Sequence, residues 1–160
     1  MKKTNKVHLK YTKPDDLEAL FLFQLDEEAN RLAAFTSTDP TDKNAYIKKW
    51  TRLLQDDKNH IRTIFLNEEI VGSIAKYEMD GNAEITYWIS KDFWGKGVAT
   101  SALVHFLKIE KIRPIFGRVA FDNIGSKKVL ERCGFSKIGT EKGFANARGK
   151  VIEEIVFVLK

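Results

Sequence analysis

Three strand-like runs, Ile61–Leu66, Ile70–Tyr77 and Ala83–Ile89, follow one another through short polar connections, Asn67-Glu68-Glu69 and Met79-Asp80-Gly81-Asn82. Parallel neighbours would need a crossover of a dozen or more residues, so these runs form an antiparallel meander. Past the third run the chain breaks at Trp94-Gly95-Lys96-Gly97-Val98-Ala99-Thr100, and Ala99, Ala102, Leu103, Phe106 and Leu107 then recur at helical spacing. A hairpin-linked strand that passes through a glycine turn into a helix does not belong to a doubly wound parallel sheet. It predicts an α/β chain of the α+β type, with a mixed, mostly antiparallel sheet.

Glycines at alternate positions leave the N–H groups of the turn uncovered by side chains. The helix behind it has no internal partners for its own first N–H groups. An anion placed there receives several hydrogen bonds and the positive end of the helix dipole, and Lys96 adds charge beside it. The turn lacks the Gly-Lys-Ser/Thr of a nucleotide-triphosphate loop. Thr100 stands where a dinucleotide fingerprint has its third glycine. Spacing alone also suits a plain turn, but the strand before and the helix after favour a phosphate or pyrophosphate site.

Around this centre, Val7–Tyr11 reads as a first strand, and Pro14 opens a helix with Leu17, Leu20 and Phe21 on one face. Asp26–Thr38 reads as less regular. Asp39-Pro40-Thr41-Asp42 starts a helix striped by Tyr46, Ile47, Trp50, Leu53 and Leu54. Pro114–Val119 is a further strand. The short helix after it closes at Gly134, suited to a left-handed cap, with Phe135 placed to fold back. Lys137–Phe144 and Val151–Leu159 form a final hairpin. With no linker or repeat, the 160 residues read as a single domain, 1–160.

Several function classes drop out. The N-terminus, Met1-Lys2-Lys3-Thr4, is basic but no apolar run follows, and no segment reaches span length. One cysteine, Cys133, excludes an intrachain disulfide and suits a cytoplasmic protein. The net charge of +5 comes from interspersed lysines and acids, without the basic and aromatic run of a nucleic-acid site. His8, His60 and His105 have no metal-ligand spacing, so no metal is expected.

A second element lies downstream, from Asn123 through Ser126 to Gly134-Phe135. Asp122 or Asn123 reads as the N-cap of its helix. The Asn123 amide also suits a ligand with amide groups, with Ser126 facing the same gap. Together, Ala83-Glu84-Ile85-Thr86-Tyr87-Trp88-Ile89, Phe93-Trp94-Gly95-Lys96-Gly97-Val98-Ala99-Thr100 and Asn123-x-x-Ser126 to Gly134-Phe135 resemble the GNAT superfamily of acyl-CoA N-acyltransferases. The style is closest to the subgroup that acetylates ribosomal-protein N-termini. Trp94 replaces the Gln or Arg with which the family's turn often begins, a change that this subgroup shares.

The resemblance implies a sheet of about seven strands, splayed centrally, with helices on both faces and acetyl-CoA as cosubstrate. Its pyrophosphate would sit on the N–H groups of Gly95, Lys96, Gly97, Val98, Ala99 and Thr100. The pantetheine arm would run beside Trp88, Ile89 and Ser90, with Asn123 holding it from the other side and Ser126 near the thioester sulfur. The acceptor is expected to be a primary amine, favoured as a peptide or protein N-terminus, attacking directly in a ternary complex. A small amine such as an antibiotic or polyamine, or a non-catalytic acyl-CoA sensor, is the alternative, and the chain is a monomer or homodimer.

Deprotonating a lysine amine of pKa about 10.4 at pH 7 costs about 4–5 kcal/mol, against about 1–1.5 for an α-amine near 8. An N-terminal amine therefore needs only modest help from a base. Glu84, which shares a strand face with Thr86 and Trp88, is the candidate base, unless it is merely a solvated or ion-paired strand residue. Ser126 is the candidate donor to the thiolate, and Tyr87 points to the opposite face. Trp50 and Phe35 belong to the acceptor pocket or to the core.

Overall fold

A computed structural model describes residues 6–160. The basic segment Met1-Lys2-Lys3-Thr4 lies outside them. One sheet carries strands β1 (Val7–Tyr11), β2 (His60–Leu66), β3 (Glu69–Met79), β4 (Asn82–Ile89), β5 (Ile115–Ala120), β6 (Ser136–Ala145) and β7 (Lys150–Leu159). Their spatial order is β1-β2-β3-β4-β5-β7-β6. All neighbours run antiparallel except β4 and β5. The expected meander is β2–β3–β4. The final hairpin is β6–β7, with β7 inserted against β5 and β6 left at the edge.

Helices α1 (Leu17–Phe23), α2 (Glu27–Ala33), α3 (Lys43–Gln55), α4 (Val98–Ile109) and α5 (Ile124–Arg132) cover both faces. Alternation along β2 shows this. Ile64 packs with α4 residues in the main core, while Thr63 next to it bonds the Asp16 carboxylate just before α1. Val98, Ala102, Leu103 and Phe106 of α4 are fully buried against Ile74, Ile85 and Ile115. Each large side chain so buried stabilises the fold by about 1.5–3 kcal/mol.

Side-chain caps start α3 and α5. Asp42 accepts from the Ala45 N–H at 3.0 Å, and Asn123 accepts from the Ser126 N–H at 3.2 Å. Gly134 has φ 93°, and the Phe135 N–H returns to the Leu130 carbonyl at 3.0 Å, closing α5 with Phe135 buried. Asp26–Thr38 is more regular than its sequence suggests: it contains α2, which Asp26 caps by accepting from the Ala29 N–H at 2.9 Å. Ala34 ends it at φ 65°.

The feature that positions the site is where β4 and β5 part. They pair only through Ala83–Ile85 and Ile115–Gly117. Beyond that, Thr86–Ile89 and Arg118–Ala120 have no partner in each other, so the sheet opens in the middle. Gly72 of β3 lies tight against the far end of β4, where a Cβ would fall 2.1 Å from the Trp88 carbonyl oxygen. The register allows no side chain there.

Candidate active site

The glycine turn closes one end of the opening. Gly95 and Gly97 have φ 74° and 75°, and a Cβ at either would meet nothing within 4 Å. Glycine is required there by backbone conformation rather than by crowding. Gly97 is the N-cap of α4 and gives no side-chain cap. Among the described residues, none of the N–H groups from Gly95 to Thr100 meets a protein acceptor, and the first return bond of α4 is Ser101 to Gly97. The Lys96 ammonium lies 5.3 Å from the Phe93 ring. Trp94 donates its indole N–H to the Ile89 carbonyl at 2.9 Å, tying the turn to the end of β4.

A cavity of about 630 Å³ lies where β4 and β5 part, lined from both faces of the sheet; Ile89, Ser90 and the turn residues Gly95 to Thr100 are not among its lining. Tyr87, Asn123 and Ser126 line it on the α5 side, and Thr86 and Trp88 on the other. The Tyr87 hydroxyl and the Ser126 hydroxyl are 2.7 Å apart. Burial pushes the Tyr87 phenol up to about 12, so it stays protonated and can donate. Asn123 spends one lone pair on capping α5 and one N–H on the Leu32 carbonyl at 3.3 Å, which leaves one of each for a ligand. Ile89 ends β4 and the buried Ser90 follows it, its N–H bonded to the Val71 carbonyl. The Trp88 indole Nε1 is buried with no acceptor, alone among the described buried side-chain polar atoms.

Glu84 is ion-paired. It is 1% exposed and accepts from Arg118 Nε at 2.9 Å. Arg118 Nη1 also reaches Glu141 at 2.5 Å and Glu154 at 3.4 Å, so one guanidinium serves three carboxylates. Burial raises the Glu84 carboxyl above its usual range while Arg118 pulls it down. Glu154 is raised likewise by burial. Of these, Arg118 and Glu154 lie on the cavity wall. Sequence reasoning missed Arg118, Glu141 and Glu154. The only sign was an arginine inside the apolar run Ile115–Ala120, a position that needs a partner.

Trp50 and Phe35 both line the cavity. Cys133 is half-buried, its thiol 3.8 Å from the Thr100 carbonyl and pushed up by burial. His60 pairs with Glu110 away from this cavity. No group of three or more metal-ligating side chains occurs among the described residues.

A long ligand with an anionic head matches both the row of free amides and the gap in the sheet, which are the marks of an acyl-CoA-dependent acyltransferase. Residues 6–136 match the acetyltransferase (GNAT) domain family, and the chain belongs to it. It is an acetyl-CoA-dependent N-acetyltransferase. "Uncharacterized N-acetyltransferase p20" of Bacillus licheniformis is 25% identical, over 98% of this chain and 93% of its own length. "Putative ribosomal N-acetyltransferase YdaF" of Bacillus subtilis (strain 168) is 27% identical, over 83% and 79%. The structure of the microcin C7 self-immunity acetyltransferase MccE, in complex with acetyl-CoA and AMP, superposes with a TM-score of 0.79. It is 21% identical and covers 98% of this chain and 93% of that one, a likeness of fold.

Proposed function

We propose that this enzyme acetylates the N-terminal α-amine of a peptide or protein, by direct attack on acetyl-CoA within a ternary complex. The amides from Gly95 to Thr100 hold the diphosphate. The edge of β4 at Trp88, Ile89 and Ser90 takes the pantetheine arm, and the spare donor and acceptor of Asn123 meet it from α5. The cosubstrate supplies a thioester carbonyl activated toward nitrogen. Ser126, backed by the Tyr87 hydroxyl 2.7 Å away, protonates the departing sulfur. The carboxylate cluster held by Arg118, with Glu84 as its buried member, forms the proton sink at the cavity wall.

One observation carries the choice of acceptor. Trp88 lines the cavity, and its Nε1 donor is buried without a partner. A buried donor costs about 1–3 kcal/mol until it is met. A peptide brings its own carbonyl oxygen beside the amine, whereas a protonated polyamine brings only donors. The proton sink is already engaged by a guanidinium, which suits an amine that is cheap to deprotonate. The name of the YdaF relative points the same way.

A panel of peptides, lysine, polyamines and aminoglycosides with acetyl-CoA, read by mass spectrometry, tests this. N-terminal peptides should be acetylated fastest, on the α-amine. Preference for a polyamine would replace the acceptor. Tight acetyl-CoA binding with no thiol release on any amine would make the chain a sensor.

A further inference from the structure

We propose that Glu154 is the carboxylate that receives the acceptor's ammonium group and takes its proton, held for that task by Arg118. This rests on the reading of the cavity as the amine's.

The charge balance around Arg118 comes first. Glu84 from β4, Glu141 from β6 and Glu154 from β7 converge on a single guanidinium from β5, so the ionised cluster is left two negative charges in excess. Half-buried carboxylates without counter-charge are costly. A cationic ligand in the adjoining cavity supplies what is missing.

Which carboxylate meets it follows from placement. Glu84 is sealed beneath Arg118, with 2% of its side chain exposed. The Glu141 side chain is 60% exposed on the edge strand, and neither residue lines the cavity. Glu154 lines it, with 19% of its side chain exposed, and touches Arg118 through one oxygen at 3.4 Å, the loosest of the three contacts. Its other oxygen has no protein partner among the described residues. Tyr77 of β3 also feels this charge, and its own burial, with Glu84 and Glu154 beside it, keeps it protonated. Asp39, Asp42 and Lys49 line the cavity on the α3 side without an ion pair to the cluster. Burial and the neighbouring Glu141 outweigh Arg118 at Glu154 and raise its carboxyl, which makes it a better base than an ordinary glutamate.

The proton count closes. One ammonium proton passes to Glu154, freeing the nitrogen lone pair, which forms the N–C bond as the C–S bond breaks. The second nitrogen proton replaces the one that the Ser126 hydroxyl gives to sulfur. Glu154 then releases its proton to solvent. Arg118 is a positioning residue.

The test uses the best amine from the panel. Glu154→Gln should lower kcat about 100-fold and remove the acidic limb of the kcat/KM–pH profile. Acetyl-CoA affinity by calorimetry should stay within about twofold, which also reports that the variant is folded. With CoA bound, calorimetric affinity for the amine itself should fall about tenfold, because the ammonium loses its counter-charge. Glu154→Asp should keep the limb at reduced kcat, and Glu84→Gln should keep it too. If Glu154→Gln retains the limb and the amine affinity, or if only Glu84→Gln erases the limb, Glu154 is not the base. Wild-type enzyme that acetylates no amine overturns the functional reading and this assignment together. Active wild type beside an unaltered Glu154→Gln overturns this assignment alone.

Discussion

At Gly97 the backbone and the ligand make separable demands. Its φ of 75° costs an L-residue about 1–2 kcal/mol, yet nothing lies within 4 Å of a Cβ there. Gly97→Ala therefore adds only strain. Gly97→Asp adds the same strain and a negative charge at the proposed diphosphate site, a repulsion of about 1–4 kcal/mol at contact distance. Calorimetry should show acetyl-CoA binding weaker in the aspartate variant by a further factor of about ten or more. Equal affinities in the two variants would remove the diphosphate from this turn. At Ser126 the balance is different. A thiol of pKa about 8.5 leaves with little help, so Ser126→Ala should lower kcat by only about tenfold. The Tyr87 hydroxyl still reaches the Ser126 backbone carbonyl at 3.3 Å, so thermal stability should fall by about 1 kcal/mol or less. A variant with unchanged kcat at saturating amine would free Ser126 of the donor role.

Among elements, β4 borders the gap proposed for the cofactor, and Gly72 decides how β4 runs. A methyl at Gly72 would overlap the Trp88 carbonyl, a backbone atom that cannot swing aside. Gly72→Ala should cost about 1–3 kcal/mol and weaken acetyl-CoA binding as well, because the displaced segment borders the gap. Lost stability with intact affinity would detach the gap from this register. What was legible in the sequence follows the same division between local and distant causes. The left-handed cap at Gly134 and the cap at Asn123 are fixed within a few residues, so they could be read directly, as could the helix start within Asp39-Pro40-Thr41-Asp42. Helix α2 could not. Its seven residues are too few for a periodic stripe, and its end at Ala34 is set from outside, where the Ala34 carbonyl accepts from Ala147 and Asn146 reaches the Thr36 carbonyl at 2.6 Å. Alternation put Glu84 on one face with Thr86 and Trp88 but was silent about Arg118, which ion-pairs it. Their contact depends on β5 crossing back beside β4, and the Glu154 contact on β7 entering between β5 and β6.

For the whole molecule, those same long-range contacts make the site part of the stability of the sheet. Arg118 joins β4, β5, β6 and β7, so four strands meet at one guanidinium. Removing it leaves Glu84 and Glu154 facing one another's charge in a partly dry sheet, and breaking such a pair costs about 3 kcal/mol near neutral pH. The pH dependence has a definite sign. Both carboxyls sit above 4.5 in the folded protein, so each contributes stability below its unfolded value and loses it as pH rises through the folded one. Without Arg118, whose charge pulls both down, that loss grows and extends to higher pH. Arg118→Met should therefore melt roughly 6–12 °C below wild type near neutral pH. The gap should narrow on acidification toward roughly pH 5, where protonated glutamates no longer need the cation. Thermal melts of the two proteins across that range decide it. A deficit that stays constant, or widens in acid, would mean that Arg118 holds the four strands by packing its stem and that the excess negative charge is not real.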